Sequence, residues 1–169
     1  MMRIIFALVL ICATPLYAQE REQEMNMPNV VADPDIAFDC LTSGKTASDC
    51  AGAMTVVCMA ENDLGNPNLK ERLCVIEEAN LWRELVAGQV RDVSGYLIGK
   101  PADFAIGEPR DAFVVAQSDW QHYVISECRF QRVVNATDPR RAINENTCQR
   151  DLNAARYDAL ARIGQQVMK

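Results

Sequence analysis

The sequence predicts an all-α domain, a disulfide-stapled antiparallel bundle of about four helices. Apolar residues recur at alternating steps of three and four along four long segments, so each segment buries one helical face. No segment alternates apolar and polar residues with period two for long enough to make a strand. Six cysteines lie beyond residue 18, spaced so that they can tie the helices together.

The first eighteen residues, MMRIIFALVLICATPLYA, carry Arg3, an apolar run from Ile4 to Ala13 and a small residue at Ala18. This is the pattern of a secretory signal peptide cleaved before Gln19, because the run falls short of the ~20 apolar residues of a membrane-spanning helix. Cys12 follows Ile11 rather than the small residue of a lipoprotein signal, so it is expected to leave with the peptide. The expected location is periplasmic or secreted, with no membrane insertion after cleavage. Of 17 Lys and Arg, removal takes only Arg3, leaving 16 basic against 23 acidic side chains and a formal charge of −7. Such a surface favours cationic partners and argues against nucleic acid. Residues 19–36 are polar, charged and interrupted by Pro28 and Pro34, and read as a flexible leader. Residues 37–169 read as one domain.

The first helix is expected from about Ser48 to Ala60, with Cys50, Ala53, Met54, Val57 and Cys58 on one face and Ser48 or Asp49 as cap. It stops in ENDLGNPN, where Gly65 and Pro67 mark a turn. The second runs from about Leu69 to Val93 on Leu69, Leu73, Ile76, Asn80, Leu85, Gln89 and Val93, widened by Trp82 and Val86. Gly88 inside it signals a bend or a close contact. SGYLIGKPADFAIGEPR, residues 94–110, reads as a long loop and therefore as a contact surface. The third helix starts after Pro109 on the stripe Phe113, Ala116, Trp120, Tyr123, Glu127 and Phe130. Residues 131–146 link it to the fourth, from about Thr147 to Met168, with Cys148, Leu152, Ala155, Ala159, Ile163 and Val167 facing inward.

Cys40, Cys50, Cys58, Cys74, Cys128 and Cys148 form an even set behind a secretory signal, which reads as three disulfides. Their spacings lack the close pairs of a structural zinc site, and no metal or cofactor is expected. Cys128 and Cys148 flank one connection between antiparallel helices and are expected to pair, stabilising by roughly 3 kcal/mol in the chain-entropy view. Cys50 and Cys58 sit ~12 Å apart along one predicted helix, too far to bond to each other. Two arrangements remain open for the rest: Cys40 with Cys50 and Cys58 with Cys74, which the GNPN turn favours, or Cys40 with Cys58 and Cys50 with Cys74.

No catalytic constellation accompanies these elements, and the chain reads as a non-enzyme. It contains no G-x-S-x-G, no H-E-x-x-H and no glycine-rich phosphate loop. His122, the only histidine, lies about 160° around the helix from Trp120 and about 100° from Tyr123, which puts it at the flank or the surface. The carboxylate pairs Glu77 with Glu78 and Asp111 with Asp119 read as solvated helix faces. Glu127 and Arg156 lie on or beside facing stripes and read as structural, either an ion pair or separate charges with other partners.

The pattern Gln117, Trp120, Tyr123, Glu127 and Cys128, followed by Cys148, Leu152, Arg156 and Leu160, resembles the LprI-type lysozyme inhibitor domain, a small helical secreted bacterial domain. Upstream, Cys58, Cys74, Glu77, Trp82 and Leu85 continue the resemblance, while Val124 departs from the arginine often found after the tyrosine. The resemblance implies a binding protein that inhibits lysozyme-type hydrolases by protein–protein contact. The alternative is an envelope interaction or structural module with a different partner. A small enzyme or ligand carrier is the third reading. Expected contacts are Tyr96, Lys100 and Phe104 in the first long loop and Arg132, Arg140 and Arg141 in the second.

Overall fold

The computed structural model describes residues 28–101 and 107–167. The signal-peptide reading, residues 19–27 of the leader and Phe104 lie outside the described residues. Among the described residues there are six helices: α1 (Asp35–Thr42), α2 (Ala47–Cys50), α3 (Ala53–Glu61), α4 (Pro67–Tyr96), α5 (Pro109–Val134) and α6 (Arg141–Val167). The fold is all-α. Three long helices carry it and three short ones brace one side.

Local chemistry sets the boundaries. Thr46 and Asp49 form a reciprocal capping box at the start of α2. Pro67 occupies the first turn of α4, and the Asn66 side chain accepts from the Leu69 amide at 3.1 Å. Asp138 accepts from the Arg140 amide at 2.7 Å and from the Asn144 side chain at 2.9 Å, which starts α6. That start corrects the expected linker over 131–146: α5 continues to Val134, α6 begins at Arg141, and only residues 135–140 connect them. The other expected loop also shortens, because α4 runs on to Tyr96.

The helix expected from Ser48 to Ala60 is two pieces. Ala51 is extended and Gly52 takes φ +105°, a left-handed conformation that a side-chain-bearing residue adopts only under strain. Helix α1 was not expected at all. Its eight residues fall at the boundary of the segment read as a leader, and Val31 just before it exchanges two hydrogen bonds with the Asn62 side chain at 2.9 and 2.8 Å. Gly88 marks neither a bend nor a close approach. Helix α4 runs through it, and an added Cβ would meet only Arg91 Nη2 at 3.8 Å.

The disulfides are Cys40–Cys50, Cys58–Cys74 and Cys128–Cys148, with Cα separations of 5.7, 5.7 and 5.5 Å. The first joins α1 to α2, the second α3 to α4, and the third α5 to α6. Consecutive long helices are antiparallel, but the most extensive contact in the molecule is between α4 and α6, which α5 returns into a parallel alignment. Paired positions climb together along both: Glu71 meets Arg140, Glu78 meets Arg150 and Trp82 meets Tyr157. Helix α5 packs on α6 and scarcely touches α4.

Helix α6 is therefore flanked on two sides. Asn153, Ala154, Leu160 and Gly164 are buried, together with Cys148 and Ile143, while Ala155 is exposed with Asp151 and Arg162. The expected stripe through Ala155 and Ala159 follows only the edge of a wider buried arc.

Candidate functional site

The inward line of α5 is Phe113, Gln117, Val124 and Cys128, with Trp120, Glu127 and Gln131 half-buried beside it. The expected stripe is rotated from this line. Tyr123 is 47% exposed and Phe130 59%, and Ala116 is exposed as well, so these three correct the earlier reading of that face. His122 is exposed, and the neighbouring Ser126 hydroxyl donates to the carbonyl oxygens of His122 and Tyr123 at 2.9 and 3.0 Å.

Several of the residues that carry the resemblance do converge between α5 and α6. Arg156 Nε donates to Gln117 Oε1 at 3.2 Å, and its guanidinium lies 5.2 Å from the Trp120 ring centroid. Burial lowers the Arg156 pKa from its usual value. Leu152 packs against the Cys128–Cys148 pair, and Leu160 is fully buried in a separate cluster with Phe113 and Val93. Glu127 does not meet Arg156. It accepts from Gln131 at 3.1 Å, one turn along its own helix. The separate-partners alternative is the one realised.

On the outer side of α5, Val115, Tyr123, Phe130, Val133 and Val134 are all exposed. At 100° per residue they span about 100° of the helix circumference. Within that arc the one charged side chain is Asp119, with half-buried Glu127 at its edge, whereas Arg129 and Arg132 project elsewhere. The stripe is apolar, with one carboxylate inside it and one at its edge. The expected contact residues fall into two groups: Tyr96 at the end of α4 and Lys100 just past it are exposed, and Arg132 in the last turn of α5 is exposed with Arg140 and Arg141 after it. A 26-residue helix is ~39 Å long, so the two groups form no single patch.

The polar centre that the sequence reading missed is Glu78. Glu77 is exposed as expected, but Glu78 is 0% exposed, which corrects the solvated-pair reading. Its carboxylate accepts from the Gly52 amide at 2.7 Å, the Thr55 amide at 3.0 Å, the Thr55 hydroxyl and Trp82 Nε1 at 3.3 Å. Arg150 Nη1 stands 3.9 Å away. Glu78 thus caps the first turn of α3 from a neighbouring helix, in place of the side chain that Gly52 lacks. Asp158 of α6 does the same for α2, accepting from the amides of Ala47 and Ser48 at 2.7 and 3.0 Å. Every Glu78 contact is with the protein itself, so the carboxylate works as a latch. The available signal was the four-residue step through Cys74, Glu78, Trp82 and Val86, a line of which the expected face included only Trp82 and Val86.

Two open hollows mark the ends of the α4–α6 pair. One, of about 530 Å³, is lined by Gln89, Asp92, Val93, Tyr96 and Gly164 near the C-terminal ends. The other, of about 400 Å³, lies among the N-terminal turns of α4 and α6 and brings together Arg72, Arg132 and Arg141. Arg140 turns away from it to form a two-point ion pair with Glu71, which raises its pKa. Among the described residues no group of three or more His, Cys, Asp or Glu side chains is placed to hold a metal ion, and no helix is long and apolar enough to cross a membrane. Comparison with family models, with curated proteins and with solved structures finds no match to this chain.

Proposed function

We propose that the protein is a periplasmic or secreted binding protein that inhibits lysozyme-type cell-wall hydrolases by surface contact. The observation that carries this is the exposed stripe on α5. Val115, Tyr123, Phe130, Val133 and Val134 offer apolar area, and Asp119 within the stripe and Glu127 at its edge add negative charge. A cationic enzyme meets both features: opposite charge speeds encounter, and aromatic side chains supply the anchors. Three disulfides suit an oxidising compartment, and the Cys128–Cys148 bond holds α5 against α6 before a partner arrives, which reduces the ordering cost of binding. The resemblance in Gln117, Trp120, Arg156 and the paired cysteines points the same way.

The test uses the oxidised, signal-free protein and a c-type lysozyme. Inhibition of cell-wall lysis and a complex on gel filtration are expected, with Phe130→Asp abolishing both while leaving the melting temperature unchanged, since Phe130 is exposed. No inhibition and no complex at tenfold excess would reject the reading for that enzyme. Recovery of a different envelope protein, bound through the same stripe, would support the alternative of an interaction module with another partner.

A further inference from the structure

The arginine-lined hollow is at odds with the rest of this acidic chain. Arg72, Arg132 and Arg141 line it together with Asn66 and Asn68, and no carboxylate is among the lining residues. Arg132 is steadied by Glu145 at 2.8 Å, a contact that leaves the rest of its guanidinium donors uncommitted. Arg72 has no ion pair with a described residue, and its Nε is buried without a hydrogen-bond partner. A buried guanidinium donor left unsatisfied costs free energy that a bound acceptor would recover.

The backbone adds to this field. Helices α4 and α6, 30 and 27 residues long, run parallel, so both direct their positive dipole ends to the same place. Asn66 and Asn68 belong to the start of α4, and Arg141, Ala142 and Ile143 are the first residues of α6; all of them line the hollow. Three guanidinium groups lining one hollow with two helix N-termini, Arg141 committing only one Nη1 donor to the Asp138 carbonyl at 3.5 Å, suit a compact multivalent anion more than a single-charge carboxylate.

We propose that this hollow binds a phosphate group, either free or carried on a lipid headgroup. The proposal is independent of the α5 stripe, since Arg132 projects from a different side of that helix. Inorganic phosphate titrated into the folded, oxidised protein should shift the amide resonances of Asn68, Arg72 and Ala142 saturably. Arg72→Gln and, separately, Arg141→Gln should weaken binding about tenfold or more, because each removes charge-assisted hydrogen bonds. Arg83→Gln, on the exposed surface of α4 away from the hollow, should leave it unchanged. Arg141 is exposed, so its variant keeps the test sound even if Arg72→Gln does not fold. Phosphatidylglycerol and phosphatidylcholine vesicles separate the two sources. Binding to phosphatidylglycerol vesicles that both variants lose, without saturable phosphate binding, assigns the headgroup; saturable phosphate binding without vesicle binding assigns the free anion. If neither probe binds, or if the arginine variants of the hollow behave like Arg83→Gln, the proposal is overturned.

Discussion

Glu78 shows how one side chain can join three elements. It sits on α4, satisfies the first amides of α3 and faces Arg150 of α6, all without solvent. Glu78→Gln keeps the volume but replaces one acceptor oxygen with a donor, which must face an N–H or the Thr55 hydroxyl, and it leaves Arg150 with Asp151 alone as counter-charge. A loss of about 3 kcal/mol is expected in urea unfolding. Glu127→Gln is expected to change stability by less than ~0.5 kcal/mol, since Glu127 is half-buried and meets only Gln131. Equal losses for the two variants would refute the latch. Reading these roles from sequence fails for a definable reason: a carboxylate on an apolar helical line is legible, but the donors that make its burial tolerable come from residues 26 and 23 positions away.

At the scale of elements, boundaries followed local chemistry closely and faces less so. Pro67, Pro109 and the ENDLGNPN turn mark helix limits by their own conformational preferences, and the structure places α4 and α5 accordingly. The face of α5 was harder, because Tyr123 and Phe130 continue an apolar heptad-like seam that no helix among the described residues covers. Gly88 lies inside α4 with room for a methyl group, so Gly88→Ala should raise stability by up to ~1 kcal/mol, read as a higher denaturation midpoint with unchanged slope. The capping box of α2 gives a pH signature. Hydrogen bonds from the Thr46 side chain and backbone hold the Asp49 carboxyl below its ordinary range. With the folded value depressed, the contribution is present above the unfolded value of about 3.9 and is lost as pH falls through the folded one. The gap in melting temperature between the native chain and Asp49→Ala should therefore narrow on acidification below about pH 4, and a constant gap would contradict it.

Across the whole molecule, α6 is the shared partner, lying between α4 and α5 with the short helices braced on its α4 side. The Cys128–Cys148 bond fastens α5, which has little contact with α4, to that centre. Replacing both cysteines with serine should cost about 3 kcal/mol in equilibrium unfolding and should loosen α5 in hydrogen exchange more than α4. Uniform loss of protection across all three long helices would show that α5 is not separately tethered.

By itself the sequence determined the helical class, the turn at Gly65 and Pro67, the helix start at Pro109, the cysteine set and, through the length of one connection, the pairing of Cys128 with Cys148. These depend on local conformational preference and on short loops, which are written into neighbouring residues. Only the tertiary structure decided that α4 and α6 run side by side in parallel, that Glu78 is a latch and that three arginines share one hollow. Each of those outcomes depends on which distant surfaces meet, and the apolar periodicity of a helix is compatible with more than one neighbour and with either direction of packing.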